Sequence, residues 1–224
     1  ANLLPRDAYG SFRYLMSIAG AFGFLISTGL DEAVAKAVAR GYDSAFQYAV
    51  KRHMRADFVF FMSMSVFSIF YAINGNKVFS ISLLVLGFSA PFFFAFRSYR
   101  PYLMGKGKKR LSLIYSVSAN LVYILIMVII LFLTASIIAI VFAYALSRIF
   151  SAFLFYRKTL RLFKPNLEKK LDKGIKKMLR KAEYLSIIDI FTTLSLYIDK
   201  ILVFHFLGPV QLAVYSLAVL IPER

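Results

Sequence analysis

Five ionisable residues interrupt otherwise apolar stretches of this 224-residue chain: Arg13, Arg148, Asp189, Asp199 and Lys200. A charge at depth in hydrocarbon costs at least a few kcal/mol, so such residues turn towards a bundle interior or a water-filled cavity and are candidates for function. Ser186, Asp189, Thr193, Tyr197 and Lys200 recur every three or four residues. On a helix this places Asp189 and Lys200 only about 20° apart, in one polar stripe. The stripe suits a cavity wall, and equally suits hydrogen bonding between packed helices. Arg148 and Asp189 lie about 12 Å and about 9 Å from the cytoplasmic ends of their expected spans. They are expected to pair there, either as a structural lock or as a gate. Arg13, Asp199 and Lys200 fall within two turns of the opposite ends, where long cationic side chains also reach water.

Other chemistry is hard to find. The chain has no nucleophile motif, paired carboxylates or phosphate-binding loop, so no enzyme active site and no cofactor is expected. Without cysteine and with two histidines, His53 and His205, it offers neither disulfides nor an evident metal site. Both histidines are expected at the surface. Two further stripes are uncharged or nearly so. Ser112, Ser116, Asn120 and Tyr123 suit hydrogen bonds between helices, and Arg13, Ser17, Gly20, Phe24, Ser27 and Asp31 put small and polar residues on one side of the first apolar run.

These residues must be held by elements that live in lipid. The chain is 60% hydrophobic and 17% charged, far too apolar for a soluble domain of its length. Six runs approach the roughly 20 residues that cross a bilayer, at 12–30, 58–73, 78–96, 111–133, 135–156 and 183–206, and a seventh starts near Gln211. The run at 58–73 is the shortest. The expected fold is therefore all-α: a polytopic transmembrane bundle of six full spans plus a partial seventh.

A net charge of +17 could suggest nucleic acid, but 22 of the 28 lysines and arginines fall in the connections 31–57, 97–110 and 157–181. The alternate connections have almost none. Sorting by loop parity is the positive-inside pattern of a membrane protein and places those three connections in the cytoplasm. Within the third, 166–181 reads as a helix with Leu167, Leu171, Ile175 and Met178 on one face and lysines elsewhere. It suits either a helix lying on the anionic inner leaflet or a solvated basic linker.

Two stretches carry a family likeness. They are 9–41, YGSFRYLMSIAGAFGFLISTGLDEAVAKAVARG, and 198–223, IDKILVFHFLGPVQLAVYSLAVLIPE. With a Gly29-Leu30-Asp31 cytoplasmic turn and a Leu207-Gly208-Pro209 span end, the chain resembles the polysaccharide flippase branch of the multidrug/oligosaccharidyl-lipid/polysaccharide exporter superfamily. The resemblance implies helices two to eight of a two-lobed transporter. Residues 1–156 would then form a first-lobe bundle lacking its first helix, 157–181 a cytoplasmic linker, and 182–224 the start of a truncated second lobe. A loose internal echo of Pro5, Tyr9, Gly10 and Phe12 in Pro209, Leu212, Ala213 and Tyr215 agrees with repeated halves.

The resemblance implies translocation of a polyprenyl-diphosphate-linked oligosaccharide across the cytoplasmic membrane. On that reading Arg13, Arg148 and Lys200 meet phosphate, Thr193 and Tyr197 meet sugar, Asp189 or Asp199 couples to an ion of unknown identity, and Asp31 marks the cytoplasmic turn. With no ATP-binding motif, a driven cycle needs an ion gradient or downstream consumption. Two rivals remain. A multidrug cation exporter of the same superfamily calls for an acidic cavity, whereas the embedded charges here lean cationic. A membrane-embedded glycosyl- or acyltransferase needs an acid or histidine at a membrane face. As given, the chain is expected to be a fragment that transports nothing alone.

Overall fold

The structure, a computed structural model, describes residues 5–25, 28–166, 171–185 and 189–220, with side chains placed except at 24–28, 183–192 and 220. Among the described residues every regular element is helical. The helices are α1 (Arg6–Ala21), α2 (Thr28–Ala39), α3 (Ser44–Ile73), α4 (Lys77–Arg97), α5 (Tyr99–Gly105), α6 (Lys109–Leu133), α7 (Ile137–Phe163), α8 (Lys173–Leu185), α9 (Asp189–Leu207) and α10 (Pro209–Leu220). Four helical stretches are long and apolar enough to cross a membrane: Ser44–Ile73, Lys77–Gly105, Lys109–Leu133 and Ile137–Phe163.

These four correspond to the expected runs at 58–73, 78–96, 111–133 and 135–156, and the bounds differ for physical reasons. The run at 58–73, which looked shortest, belongs to the longest helix, at 30 residues. No glycine or proline lies between Ser44 and Phe58, so the helix continues past the hydropathy boundary to about 45 Å, against a hydrocarbon core of about 30 Å. α7 likewise runs on to Phe163. It stops at Lys164, in the left-handed region at φ 39°, because Pro165 disfavours right-handed helix in the residue before it.

The run at 12–30 is not one helix. Its glycine-rich centre yields to a 3-10 turn at Phe22–Leu25, which separates α1 from α2 and ends the helical register linking Arg13 to Asp31. Of the run at 183–206, residues 183–185 end α8 and the part from Asp189 onward lies in α9, 19 residues carrying Asp189, Asp199 and Lys200; residues 186–188 lie outside those described.

Two packed cores organise the helices. One gathers Tyr14, Leu15 and Ile18 of α1, Phe60 and Met64 of α3, Leu83 and Leu86 of α4, Val141 of α7 and Leu212 of α10. The other lies at the basic end, where Leu30, Val34 and Val38 of α2 meet Phe46 of α3, Tyr102 and Leu103 of α5, Phe155 of α7 and Ile175 and Leu179 of α8.

The second core revises the expectation for α8. Leu171, Ile175, Met178 and Leu179 pack on protein, so its apolar face is covered rather than laid on lipid, while Lys173, Lys176, Lys177, Arg180 and Lys181 stay exposed. Leu167, Lys169 and Lys170 lie outside the described residues.

The exterior is apolar. Phe58, Ile69 and Phe70 of α3 and Leu121, Leu125 and Phe132 of α6 are exposed, and only 6% of the most apolar stretch of α6 is buried. In water such a surface would drive aggregation; against lipid tails it is at home.

Candidate functional site

α4 carries Pro91 within its length and packs extensively along α3, with Gly87 set against Met64. Where α4 and α3 meet α1, α7 and α9, a cavity of about 330 Å³ opens. Its lining includes Gly20, Ser89, Phe93, Phe94, Tyr144, Arg148, Thr193 and Tyr197. Gly20 lets α1 approach α9 closely: a Cβ there would sit 2.4 Å from the Tyr197 ring, which would have to shift. A second, more polar cavity of about 100 Å³ lies beside it, among Phe93, Arg97, Tyr99, Arg100, Ser116, Asn120, Arg148 and Ser151.

Arg148 is the charged residue common to both cavities. Its Nη1 donates to Asn120 Oδ1 at 3.0 Å, and the guanidinium lies 4.3 Å from the Tyr123 ring centre and 5.6 Å from that of Tyr144. Its Nε is buried without a hydrogen-bond partner. Of the α6 stripe, Asn120 bonds across to this arginine and Tyr123 lies against it, whereas Ser116 donates to Ser112 O within its own helix. Asp189, the expected partner of Arg148, and Ser186 both have side chains outside those described.

The remaining embedded residues separate into groups. Thr193 and Tyr197 line the large cavity, whereas Lys200, on the same stripe, is not among its lining. The Lys200 ammonium donates to Leu196 O at 2.7 Å, lies 3.7 Å from Asp199 Oδ1, and sits over the Tyr197 ring at 5.7 Å. Asp199 also accepts from Tyr215 of α10, so this pair ties α9 to α10. Arg13 is on α1 outside the cavity linings, with Nε buried and unpartnered. Asp31 opens α2 and lies 3.5 Å from His53 Nε2. His53 was expected at the surface but is only 3% exposed; His205 is exposed.

Residues 1–221 match the family described as polysaccharide biosynthesis protein. The chain belongs to that family. No curated protein and no solved structure matches it.

For a member of the polysaccharide biosynthesis protein family, the informative feature is the cluster that sequence reading missed. Arg97 and Arg100 were counted as loop charges, yet both turn into the small cavity beside Arg148. Arg97 lies within electrostatic reach of Arg100, Arg148 and Asp31. Among the described residues, no carboxylate lines either cavity. Three guanidiniums gathered without a lining acid repel one another, and an anion relieves that repulsion through planar, two-pronged hydrogen bonds. The signal available in the sequence was Arg97 and Arg100, three residues apart directly after the apolar run 78–96.

Proposed function

We propose that the protein acts in translocating a polyprenyl-diphosphate-linked oligosaccharide across the cytoplasmic membrane. The observation that carries this reading is Arg148, one guanidinium shared by an aromatic, hydroxyl-bearing cavity and a smaller arginine-lined one. Arg148, Arg97 and Arg100 offer bidentate donors for a diphosphate. Thr193, Tyr197 and Ser89 offer hydroxyls to sugar, and Phe93, Phe94 and Tyr144 offer apolar faces for the CH surfaces of pyranose rings. The polyprenyl tail requires no binding pocket, because the apolar helix exteriors already face its natural solvent. Membership of the polysaccharide biosynthesis family supports this reading over a cation exporter, as does a cavity wall whose described charge is cationic. The exposed basic face of α8 is suited to the anionic inner leaflet.

Native mass spectrometry of the purified protein tests the assignment. A polyprenyl diphosphate sugar should remain bound, the corresponding polyprenol should not, and Arg148→Ala should remove most of the difference. Equal retention of both lipids would refute a diphosphate site.

A further inference from the structure

The buried side of α3 is one continuous seam: Phe46, Ala49, His53, Asp57, Phe60, Met64 and Ser68, spaced by three or four residues. Two of its positions are ionisable. Asp57 is 0% exposed, and neither carboxylate oxygen has a hydrogen-bond partner. His53, one turn earlier on the same side, is 3% exposed, with Nε2 at 3.5 Å from Asp31 Oδ1. The Asp31 side chain is 37% exposed and so reaches from this buried imidazole towards water at the basic, cytoplasmic end.

An ionised carboxylate sealed from water without a donor is expensive, whereas the neutral acid is cheap to bury. An imidazole one turn away is the side chain best suited to pass a proton near neutral pH. The charged groups within electrostatic reach of Asp57 are His53 and Arg52, both on α3. From α2, Asp31 approaches His53, and Arg97 at the end of α4 lies within reach of Asp31. The packed 3-10 turn at Phe22–Leu25 brings no ionisable residue, and α5 brings Arg100, which lies near Arg97. Among the described residues, no group of three or more His, Asp or Glu could ligate a metal ion.

We infer that Asp57, His53 and Asp31 form a proton-binding site: Asp57 holds the proton, His53 relays it, and Asp31 connects the relay to the cytoplasmic water. The step is a simple transfer. The Asp57 carboxyl O–H breaks, its proton passes to an imidazole nitrogen of His53, and the opposite nitrogen releases a proton through Asp31 to water. Phe60, the next residue of the seam, lines the large cavity, so the site lies one turn from that wall. The inference stands apart from the transported substrate, since its test measures protonation and not transport.

Infrared difference spectroscopy on the protein in lipid is the test, following the C=O stretch of protonated carboxyl groups as pH is raised through neutrality. The wild-type protein should show a band that disappears on alkalinisation. Asp57→Asn should lack it, and Asp57→Glu should restore it at shifted frequency. His53→Gln should keep the band but slow its loss after a pH jump by about tenfold or more. A band that survives in folded Asp57→Asn would overturn the assignment. So would a wild-type band that vanishes on adding sodium at constant pH, which would make the site a metal-cation site. If Asp57→Asn does not fold, absence of any pH-sensitive carboxyl band from wild type and Asp57→Glu overturns it equally.

Discussion

Arg148 meets the protein through two kinds of contact, a hydrogen bond to Asn120 and a position over the rings of Tyr123 and Tyr144. A partly desolvated cation over an aromatic ring contributes about 1 kcal/mol or more. Replacing it by Ala should therefore lower the stability of the solubilised protein modestly, while Arg148→Lys should keep stability and lose diphosphate affinity by about tenfold or more, as a point charge loses the two-pronged fit. Paired thermal-unfolding and binding measurements check this, and a lysine variant that binds as tightly as wild type would sink it. Tyr215→Phe isolates the Asp199 contact and should loosen α10 from α9 without changing lipid binding, read as lower thermal stability at unchanged affinity. At this scale the sequence shows which charges are embedded but not where their side chains turn. Lys200 and Tyr197 share one stripe, yet one is drawn to Asp199 and a backbone carbonyl while the other lines the cavity. By hydropathy alone Asp57 is the last residue of the charged connection 31–57. Its i, i+4 relation to His53 was visible, but only the continuation of α3 upstream of Phe58 turns that spacing into a buried seam.

α1 and α10 open with the loosely matching segments of the internal repeat, and they pack against one another where Gly10 meets Pro209. A Cβ on Gly10 would fall 1.8 Å from the Pro209 carbonyl oxygen, a backbone atom that cannot swing aside. Gly10→Ala should thus cost about 1–3 kcal/mol through overpacking, measurable as reduced thermal stability in detergent; an unchanged melting temperature would show that the helices do not meet this closely. Gly20→Ala is the contrasting case, because its obstacle is the Tyr197 ring, which can move. It should leave stability nearly intact and reshape the cavity. Hydropathy located the four long apolar helices but misjudged their ends, since it marks the edge of the lipid and not the end of the hydrogen-bonded helix. It also joined α1 to α2, although the glycines at positions 20, 23 and 29 were already a reason to expect a break.

For the whole molecule, the parity of charged connections predicts that the basic end of the bundle faces the cytoplasm, and the structure collects the α2, α3, α5 and α8 segments of that end into one core. The absence of cysteine makes the orientation directly measurable. Single cysteines at Lys106 or Lys177 should react with an impermeant maleimide only in inside-out vesicles, and one at Asn76 only in intact spheroplasts; the reverse pattern would invert the topology. All-helical architecture and membrane residence were legible because length, apolarity and loop charge act over whole segments. The arginine-lined cavity was not, because it depends on α4, α6 and α7 approaching one another, a property that local pattern does not contain. Movement of a lipid-linked glycan can be measured in spheroplasts of a strain lacking this gene. There, lipid-linked oligosaccharide should stay beyond the reach of an impermeant glycosidase, become accessible when the wild-type gene is restored, and remain inaccessible with Arg148→Ala expressed at equal level. Equal accessibility with and without the gene would show that this protein does not move the lipid.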